Sequence, residues 1–223
     1  MNKYEIIKKI EDFAPLETQE AWDASGWIVD LPDSEVHKVL FALTVTPAIV
    51  AQAIRQNCDL IISHHPVFYV PYSYKKVNIY CAHTNLDKAQ GGTTDLIVNK
   101  LGLVSKPFND FVRIVEFENE MSVEYLKLKL FPIAPKLRYV NNHDIKTVKT
   151  IGLCAGSGSE FISSTPCDAF ITGDIKFHTA VEADKVLFDI GHFESEIFAV
   201  ELLMNIADVG LNGVLAHEES PFI

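Results

Sequence analysis

Side chains that bind metal ions follow predicted strands at four places along the chain. The candidates are histidines and carboxylates at, or within a few residues of, the end of an apolar segment: His64, His65, His83, Asp87, Asp174, His178, His192, Glu194 and Glu196. In α/β sheets, ligands gather beyond the carboxyl ends of the strands. Neutral imidazole and carboxylate bind Zn, Fe, Ni, Co and Mn, and a carboxylate can bridge two ions. This placement predicts a metal site.

The spacing within two of these groups indicates how they would bind. His192 and Glu196 are four residues apart, so a helix beginning near residue 193 would point both at one site. His64 and His65 are adjacent, and neighbours on an extended strand point to opposite sides. Pro66 favours an extended conformation at His65. We therefore expect this pair to serve two ions rather than to chelate one.

Each residue also has a structural interpretation. His83 taken alone is typical of a hydrogen-bonded histidine in the core or at its rim. Asp87 and Asp174 fit turn or cap positions. His192 with Glu196 fits a helix N-terminus with acidic residues in its first turn. The residues alone leave both interpretations open, although their common position at strand ends favours the metal site.

The elements that would position these residues indicate an α/β fold, because short apolar strands alternate with helical patterns. Strands are predicted at 37–45, 59–63, 77–83, 147–156, 168–174, 185–192 and 212–219. Helices are predicted at 3–13, 47–57, 93–103, 175–184 and 196–210. We expect two α/β lobes, residues 1–105 (completed by 195–223) and residues 106–194. The segment 104–146 is ambiguous, since "SVEYLKLKLF" fits a helix or a strand.

Composition argues against several classes of function. The formal net charge is −11, which argues against a broad nucleic-acid footprint or an anionic membrane surface. The four cysteines form no C-x-x-C pair, so reduced thiols in a cytoplasmic protein are expected. The N-terminal stretch lacks the apolar core of a secretory signal. No apolar run approaches the roughly 20 residues that a membrane-spanning helix needs.

Four segments together resemble the NGG-interacting-factor family, whose members are also described as GTP cyclohydrolase 1 type 2 homologues and as YbgI-like dinuclear metal-binding proteins. They are "LIISHHPVFY", "IYCAHTNLDKAQGG", "ITGDIKFHTA" and "FDIGHFESE", and they occur in the family's order. "EAWDASGWIVD" is similar to the family's W-D-N-x-G-L stretch, with Ala24 in place of the Asn and Gly26-Trp27 in place of Gly-Leu. The resemblance covers roughly residues 3–218.

The resemblance implies a fold, a ligand set and an assembly. The fold would be two similar α/β lobes facing each other, with a dinuclear metal cleft between them. The implied ligands of two divalent ions are His64, His65, Asp87, His192 and Glu196. Asp87 and Glu196 would be the bridging carboxylates. His83 and His178 match polar positions that line the cleft in relatives, as supporting or catalytic residues. Relatives commonly form homohexamers built from dimers.

Two classes of function fit these expectations, and a third possibility is that the ions are only structural. Two divalent ions suit hydrolysis of a phosphoester, amide, amidine or ring C–N bond. His83 or His178 would move a proton, with Asp174 orienting one of the two imidazoles. The leading hypothesis is a metal-dependent hydrolase of a small, nucleotide-like substrate. The alternative is a non-catalytic metal-binding regulatory or adaptor protein. The glycine-rich segment "CAGSGSEFI" lacks the lysine and spacing of a P-loop, so it does not identify a nucleotide site.

Overall fold

The structure, a computed structural model, describes residues 1–222 and alternates helices with short strands. In chain order the elements are α1 (Lys3–Phe13), β1 (Gly26–Val29), β2 (Val39–Thr44), α2 (Pro47–Arg55), β3 (Leu60–His65), β4 (Asn78–Cys81), α3 (Thr84–Lys88), α4 (Thr93–Lys100), β5 (Lys106–Pro107), β6 (Arg113–Ser122), α5 (Val123–Leu130), β7 (Arg138–Val140), β8 (Thr147–Leu153), β9 (Ala169–Thr172), α6 (Phe177–Val181), β10 (Val186–Asp189), α7 (His192–Glu196), α8 (Phe198–Ala207) and β11 (Gly213–Leu215). The α/β fold expected from the sequence is confirmed.

The chain divides into two compact units, each built on one sheet. The first unit is Met1–Ala89 with Ile197–Ile223, and the second is Gln90–Glu196. The sequence placed the first boundary near residue 105. The structure places it before α4, because the apolar face of that helix (Ile97, Val98) is buried in the core of the second unit with Ile151 and Phe188.

The sheet of the first unit has the strand order β1-β4-β3-β2-β11. Strands β11, β2, β3 and β4 run parallel, and β1 pairs antiparallel with β4 at the edge. The central strands β2 and β3 are buried at every position except the last residue, as parallel strands covered on both faces must be. Ser63 of β3 is the register partner of Cys81 of β4. The carboxyl ends of these two strands therefore bring His64 and His65 close to His83.

The sheet of the second unit has the strand order β5-β6-β8-β9-β10-β7. Its central strands β8, β9 and β10 are parallel. Thr172 at the end of β9 is the register partner of Asp189 at the end of β10. The residues that follow these two strands, Asp174 and His192, therefore meet at one edge of the sheet.

The ambiguous segment 104–146 contains a long strand, β6, followed by a helix. The strand β6 ends at Ser122, whose side chain accepts a hydrogen bond from the backbone N–H of Tyr125 and so caps α5. A serine N-cap of this kind satisfies one of the unpaired amides in the first turn of a helix. Buried Val123, Leu126 and Leu130 then repeat at helical spacing on one face of α5, so "SVEYLKLKLF" forms a helix and not a strand.

The length and apolar content of a helix decide whether it could span a membrane. Over residues 1–222, none of the helices combines the length and the hydropathy that crossing a lipid bilayer requires.

Candidate metal-binding residues

His64 and His65 are held at the end of β3 with their rings close together. The ring centroids are 5.1 Å apart, and the ring planes are tilted by 42°. The sequence-based expectation that the two side chains point to opposite sides of a regular strand does not describe this arrangement. The pairing of β3 with β4 ends at Ser63, and the Ser63 hydroxyl donates to the carbonyl oxygen of His65. His65 is still the register partner of Thr44 on β2, so the sheet holds β3 on one side only where the two histidines occur.

Both imidazoles are anchored through the same ring nitrogen. Nδ1 of His64 lies 2.9 Å from the carbonyl oxygen of Ala82, so this nitrogen donates a hydrogen bond. Nδ1 of His65 lies 2.7 Å from the hydroxyl of Thr44 on the neighbouring strand. In metal sites, the second nitrogen of a ligating histidine is nearly always fixed in this way. Nε2 is then the ring nitrogen that each histidine presents.

Asp87 reaches the same place from helix α3. The helix starts directly after His83, and the backbone N–H of Asp87 donates to the carbonyl oxygen of His83 at 3.0 Å. One helical turn therefore sets Asp87 above His83. Oδ1 of Asp87 lies 3.5 Å from Nε2 of His64, which is fully buried. A carboxylate oxygen and an imidazole nitrogen at this separation could bind one cation together.

His83 completes a group of three imidazoles in the first unit. One donor nitrogen from each of His64, His65 and His83 lies within 4.8 Å of the other two. Nδ1 of His83 is 2.9 Å from Oδ1 of Asp23, a side chain with no exposed surface. Burial raises the pKa of the Asp23 carboxyl, but the hydrogen bonds from Thr84 and His83 outweigh burial and lower this pKa to about 2. Asp23 is therefore ionised.

Sequence reasoning gave Asp23 no role. Its signal in the sequence is the "WDASG" segment, which is similar to the family's W-D-N-x-G-L stretch but has Ala24 in place of the Asn. Asp23 and His83 are 60 residues apart, and no periodic pattern in the sequence predicts their contact. The contact depends on how the loop before β1 meets the loop after β4.

In the second unit, His192 and Glu196 pair on the short helix α7. Nε2 of His192 is 2.9 Å from Oε2 of Glu196, as their spacing predicted. Nδ1 of His192 is 2.7 Å from Oδ2 of Asp174. The hydrogen bond to Glu196, opposed by burial, and the smaller contribution of Asp174 raise the pKa of His192 to about 9. The sequence assigned Asp174 to His83 or His178, but the structure places it against His192.

Gly156, in the glycine-rich segment after β8, lies directly against this pair. Its backbone has a φ of +63°, and a Cβ added there would sit 2.1 Å from Oε1 of Glu196. The backbone N–H of Gly156 donates to the hydroxyl of Ser195, which donates in turn to the carbonyl oxygen of His192. Because glycine has no Cβ, Gly156 leaves room for the Glu196 carboxylate.

His178 lies on helix α6 with its side chain exposed. Its ring contacts Phe177 edge-on, with the centroids 5.4 Å apart. Within the chain from Met1 to Phe222, it belongs to no group of donor atoms close enough to share an ion.

The fold and these residues define a class of protein. It is an α/β protein whose parallel strands end in imidazoles anchored through Nδ1, beside buried or half-buried carboxylates. This donor set has the chemistry to bind divalent cations. The chain belongs to the DUF34/NIF3 (NGG1p interacting factor 3) family, whose sequence profile matches residues 1–217. The resemblance seen in the sequence motifs is confirmed.

Individual relatives extend over nearly the whole chain. A protein of Campylobacter jejuni named "GTP cyclohydrolase 1 type 2 homolog" is 30% identical over 251 residues, covering 100% of this chain and 99% of the relative. A protein of the same name from Clostridium acetobutylicum is 30% identical, covering 86% of this chain and 84% of the relative. The crystal structure of TTHA1606 from Thermus thermophilus shares the fold, with a TM-score of 0.83 at 21% identity and coverage of 99% and 100%.

Proposed function

We propose that this protein is a metal-dependent hydrolase with a dinuclear centre that acts on a small, nucleotide-like substrate. The residues proposed to hold the two divalent ions are His64, His65, Asp87, His192 and Glu196. One observation carries the proposal: His64, His65 and His192 are each anchored through Nδ1 by a different protein group. Anchoring of this kind fixes the orientation of an imidazole and raises its basicity as a ligand. A histidine that only fills space does not need it.

The donor atoms of these residues suit divalent cations of intermediate softness. They are imidazole nitrogens and carboxylate oxygens without a cysteine, which suits Zn, Fe, Mn, Co or Ni. Asp87 and Glu196 are the bridging candidates, because a carboxylate has two oxygens to share between ions. A pair of divalent ions supplies Lewis-acid chemistry, which activates water at neutral pH and stabilises charge that develops on a leaving group.

The remaining polar side chains of the site are suited to proton transfer and substrate binding. His83, next to His64 and His65, accepts a proton at Nε2 from the attacking water. His178, which the family resemblance implies, is the second candidate, and it is the weaker one because its side chain is exposed on α6. Trp22 is 63% exposed and lies edge-on to His83, with the ring centroids 6.0 Å apart. An exposed indole at this point offers a stacking surface to a heterocyclic ring, which supports a substrate that contains a nucleobase-like group.

The test is turnover by protein loaded with one metal at a time. Nucleoside triphosphates, cyclic amides and phosphoesters form the substrate panel, and Asp87→Ala and Glu196→Gln are the test variants. Glu194→Gln is the matched control, since it makes the same change on the same helix. We expect the two test variants to lose turnover, Glu196→Gln also to lose one or both ions, and the control to retain both properties.

Two outcomes would oppose the proposal. Turnover by Asp87→Ala at the wild-type rate would exclude a mechanism that depends on this metal ligand. Full metal content in the wild type without turnover of any substrate would support a non-catalytic metal-binding regulatory or adaptor protein instead.

We also infer a cytoplasmic homohexamer built from dimers, on the basis of the family resemblance and the expectation of reduced thiols. The free cysteines Cys58, Cys81 and Cys154 are buried. Sedimentation velocity at micromolar concentration tests the assembly: a species of six chains is expected, and a monomer across the concentration range would exclude it.

A further inference from the structure

Asp23 is the centre of a hydrogen-bond network that holds His83. Its Oδ1 accepts hydrogen bonds from the N–H of Ala24 at 2.7 Å and from Nδ1 of His83 at 2.9 Å. Its Oδ2 accepts from the hydroxyl of Ser25 at 2.9 Å, from the N–H of Thr84 at 3.0 Å, and from the Thr84 hydroxyl. Each of these contacts of the buried carboxylate is therefore with a hydrogen-bond donor, so the surroundings of Asp23 stabilise its negative charge.

The same network fixes the protons on His83. Because the ionised carboxylate can only accept, Nδ1 of His83 must carry the hydrogen, and Nε2 then carries a lone pair in the neutral ring. The backbone N–H of His83 is also tied, at 3.1 Å, to the Ser25 hydroxyl. The ring lies beside His64 and His65, with centroid distances of 5.2 and 5.8 Å. A basic nitrogen is thus held at the group of imidazoles proposed to bind metal.

We propose that Asp23 is a positioning residue that keeps His83 in the Nδ1–H tautomer, so that Nε2 of His83 is the proton acceptor of the hydrolytic reaction. The inference rests on the proposed function. As the water oxygen forms its bond to the substrate, the water O–H bond breaks and the proton moves to Nε2. The Asp23 carboxylate stabilises the imidazolium. The bond between the substrate and its leaving group then breaks with its electron pair on the leaving group, which takes the proton back from Nε2.

A purely structural role for Asp23 must be separated from this one. Asp23 accepts a hydrogen bond from the first residue of α3, the helix that carries Asp87, so a substitution could disturb the loop as a whole. The tautomer of His83 distinguishes the two roles, because it depends on the charge opposite Nδ1. It can be measured by long-range ¹H–¹⁵N correlation on metal-free protein with ¹⁵N-labelled histidine, with His83→Gln assigning the signal.

We expect the wild type to show a single Nδ1–H form of His83. In Asp23→Asn an amide nitrogen replaces one carboxylate oxygen, and both oxygen positions face hydrogen-bond donors. The negative charge of the carboxylate is also lost. The His83 signal should therefore shift towards the Nε2–H form. Ser25→Ala is the matched control: it removes a neighbouring hydrogen bond from Asp23 but keeps the carboxylate, and the tautomer should not change. An Nε2–H form in the wild type, or equal shifts in both variants, would overturn the proposal.

Kinetics on any substrate found in the panel give the second readout. Asp23→Asn and His83→Gln should each lower kcat by about 100-fold or more, with KM and bound metal nearly unchanged, and the double variant should be no slower than His83→Gln. Loss of metal in Asp23→Asn in proportion to the loss of kcat would show that Asp23 acts through the ligands, and would refute the proposal. If the wild type turns over no substrate, the hydrolase function fails, and the tautomer measurement still decides whether Asp23 positions His83.

Discussion

Replacing Gly156 by alanine tests whether the backbone of the glycine-rich segment shapes the metal site. The added Cβ would lie 2.1 Å from Oε1 of Glu196, whereas ordinary contacts begin near 3.4 Å. The carboxylate must therefore retreat by about 1.3 Å. Ligand positions in a metal site tolerate only about 0.2 Å. Glu196 is buried and hydrogen-bonded to His192, so the retreat also disturbs its partner.

Two effects of different size follow. An alanine at a φ of +63° costs about 1–2 kcal/mol of folding free energy, which corresponds to a fall in Tm of roughly 2–8 °C for a chain of this length. Displacement of Glu196 should weaken metal binding by about 10–100-fold, the usual effect of disturbing the surroundings of a metal ligand. The second effect is specific to the site, and the first is not.

Gly102→Ala is the matched control for this experiment. Gly102 has nearly the same φ, +62°, but a Cβ there meets nothing within 4 Å. Both variants should lose a similar amount of stability in metal-free form, measured by thermal unfolding. Only Gly156→Ala should lose metal affinity, measured by competition with a chromogenic chelator. Equal metal affinity in the two variants would refute the view that Gly156 makes room for a ligand.

Three further predictions concern other contacts of the second unit. Asp174→Asn keeps a residue that tolerates the left-handed φ of +54° but removes the charge opposite Nδ1 of His192, so metal affinity should fall by about 10-fold or more; an unchanged Kd in isothermal titration would contradict this. Because the pKa of His192 is raised to about 9 from its ordinary value near 6.5, its contribution to the stability of metal-free protein should be fully present below pH 6.5 and lost as the pH rises through about 9. The Tm in the presence of chelator should therefore fall over this range in the wild type and change less in His192→Gln, and parallel profiles would exclude the effect. Arg113 is buried and donates to both oxygens of Asp95 at 2.7 and 3.1 Å, so Arg113→Ala should lower the free energy of unfolding by about 3–5 kcal/mol in urea denaturation, and a loss below about 1 kcal/mol would contradict the buried ion pair.

Strand ends were the part of the site that the sequence could predict. His64, His65 and His83 follow apolar segments that form parallel strands, and neighbouring parallel strands end at the same edge of a sheet. The spacing of His192 and Glu196 gave their pairing directly, because residues four apart share a helix face. These inferences needed only the local periodicity of the sequence and the rule that neighbouring parallel strands end at the same edge of a sheet.

The anchors of the imidazoles could not be predicted in the same way. The partners Thr44, Asp23 and Asp174 are 21, 60 and 18 residues from their histidines, and their identity depends on strand order and loop conformation. Asp174 was recognised as an orienting carboxylate but assigned to the wrong imidazole. The boundary near residue 105 was placed by the end of a helical pattern, whereas burial of Ile97 and Val98 assigns that helix to the second unit.

The location of bound metal is the sharpest test of the proposed dinuclear centre. Protein purified without chelators should be analysed for metal content and then crystallised, with anomalous diffraction recorded at the absorption edge of the metal found. We expect two divalent ions per chain, with anomalous peaks within bonding distance of His64, His65, Asp87, His192 and Glu196. Protein that contains no stoichiometric metal after incubation with Zn, Fe, Mn, Co and Ni, or peaks that lie away from these five side chains, would contradict it.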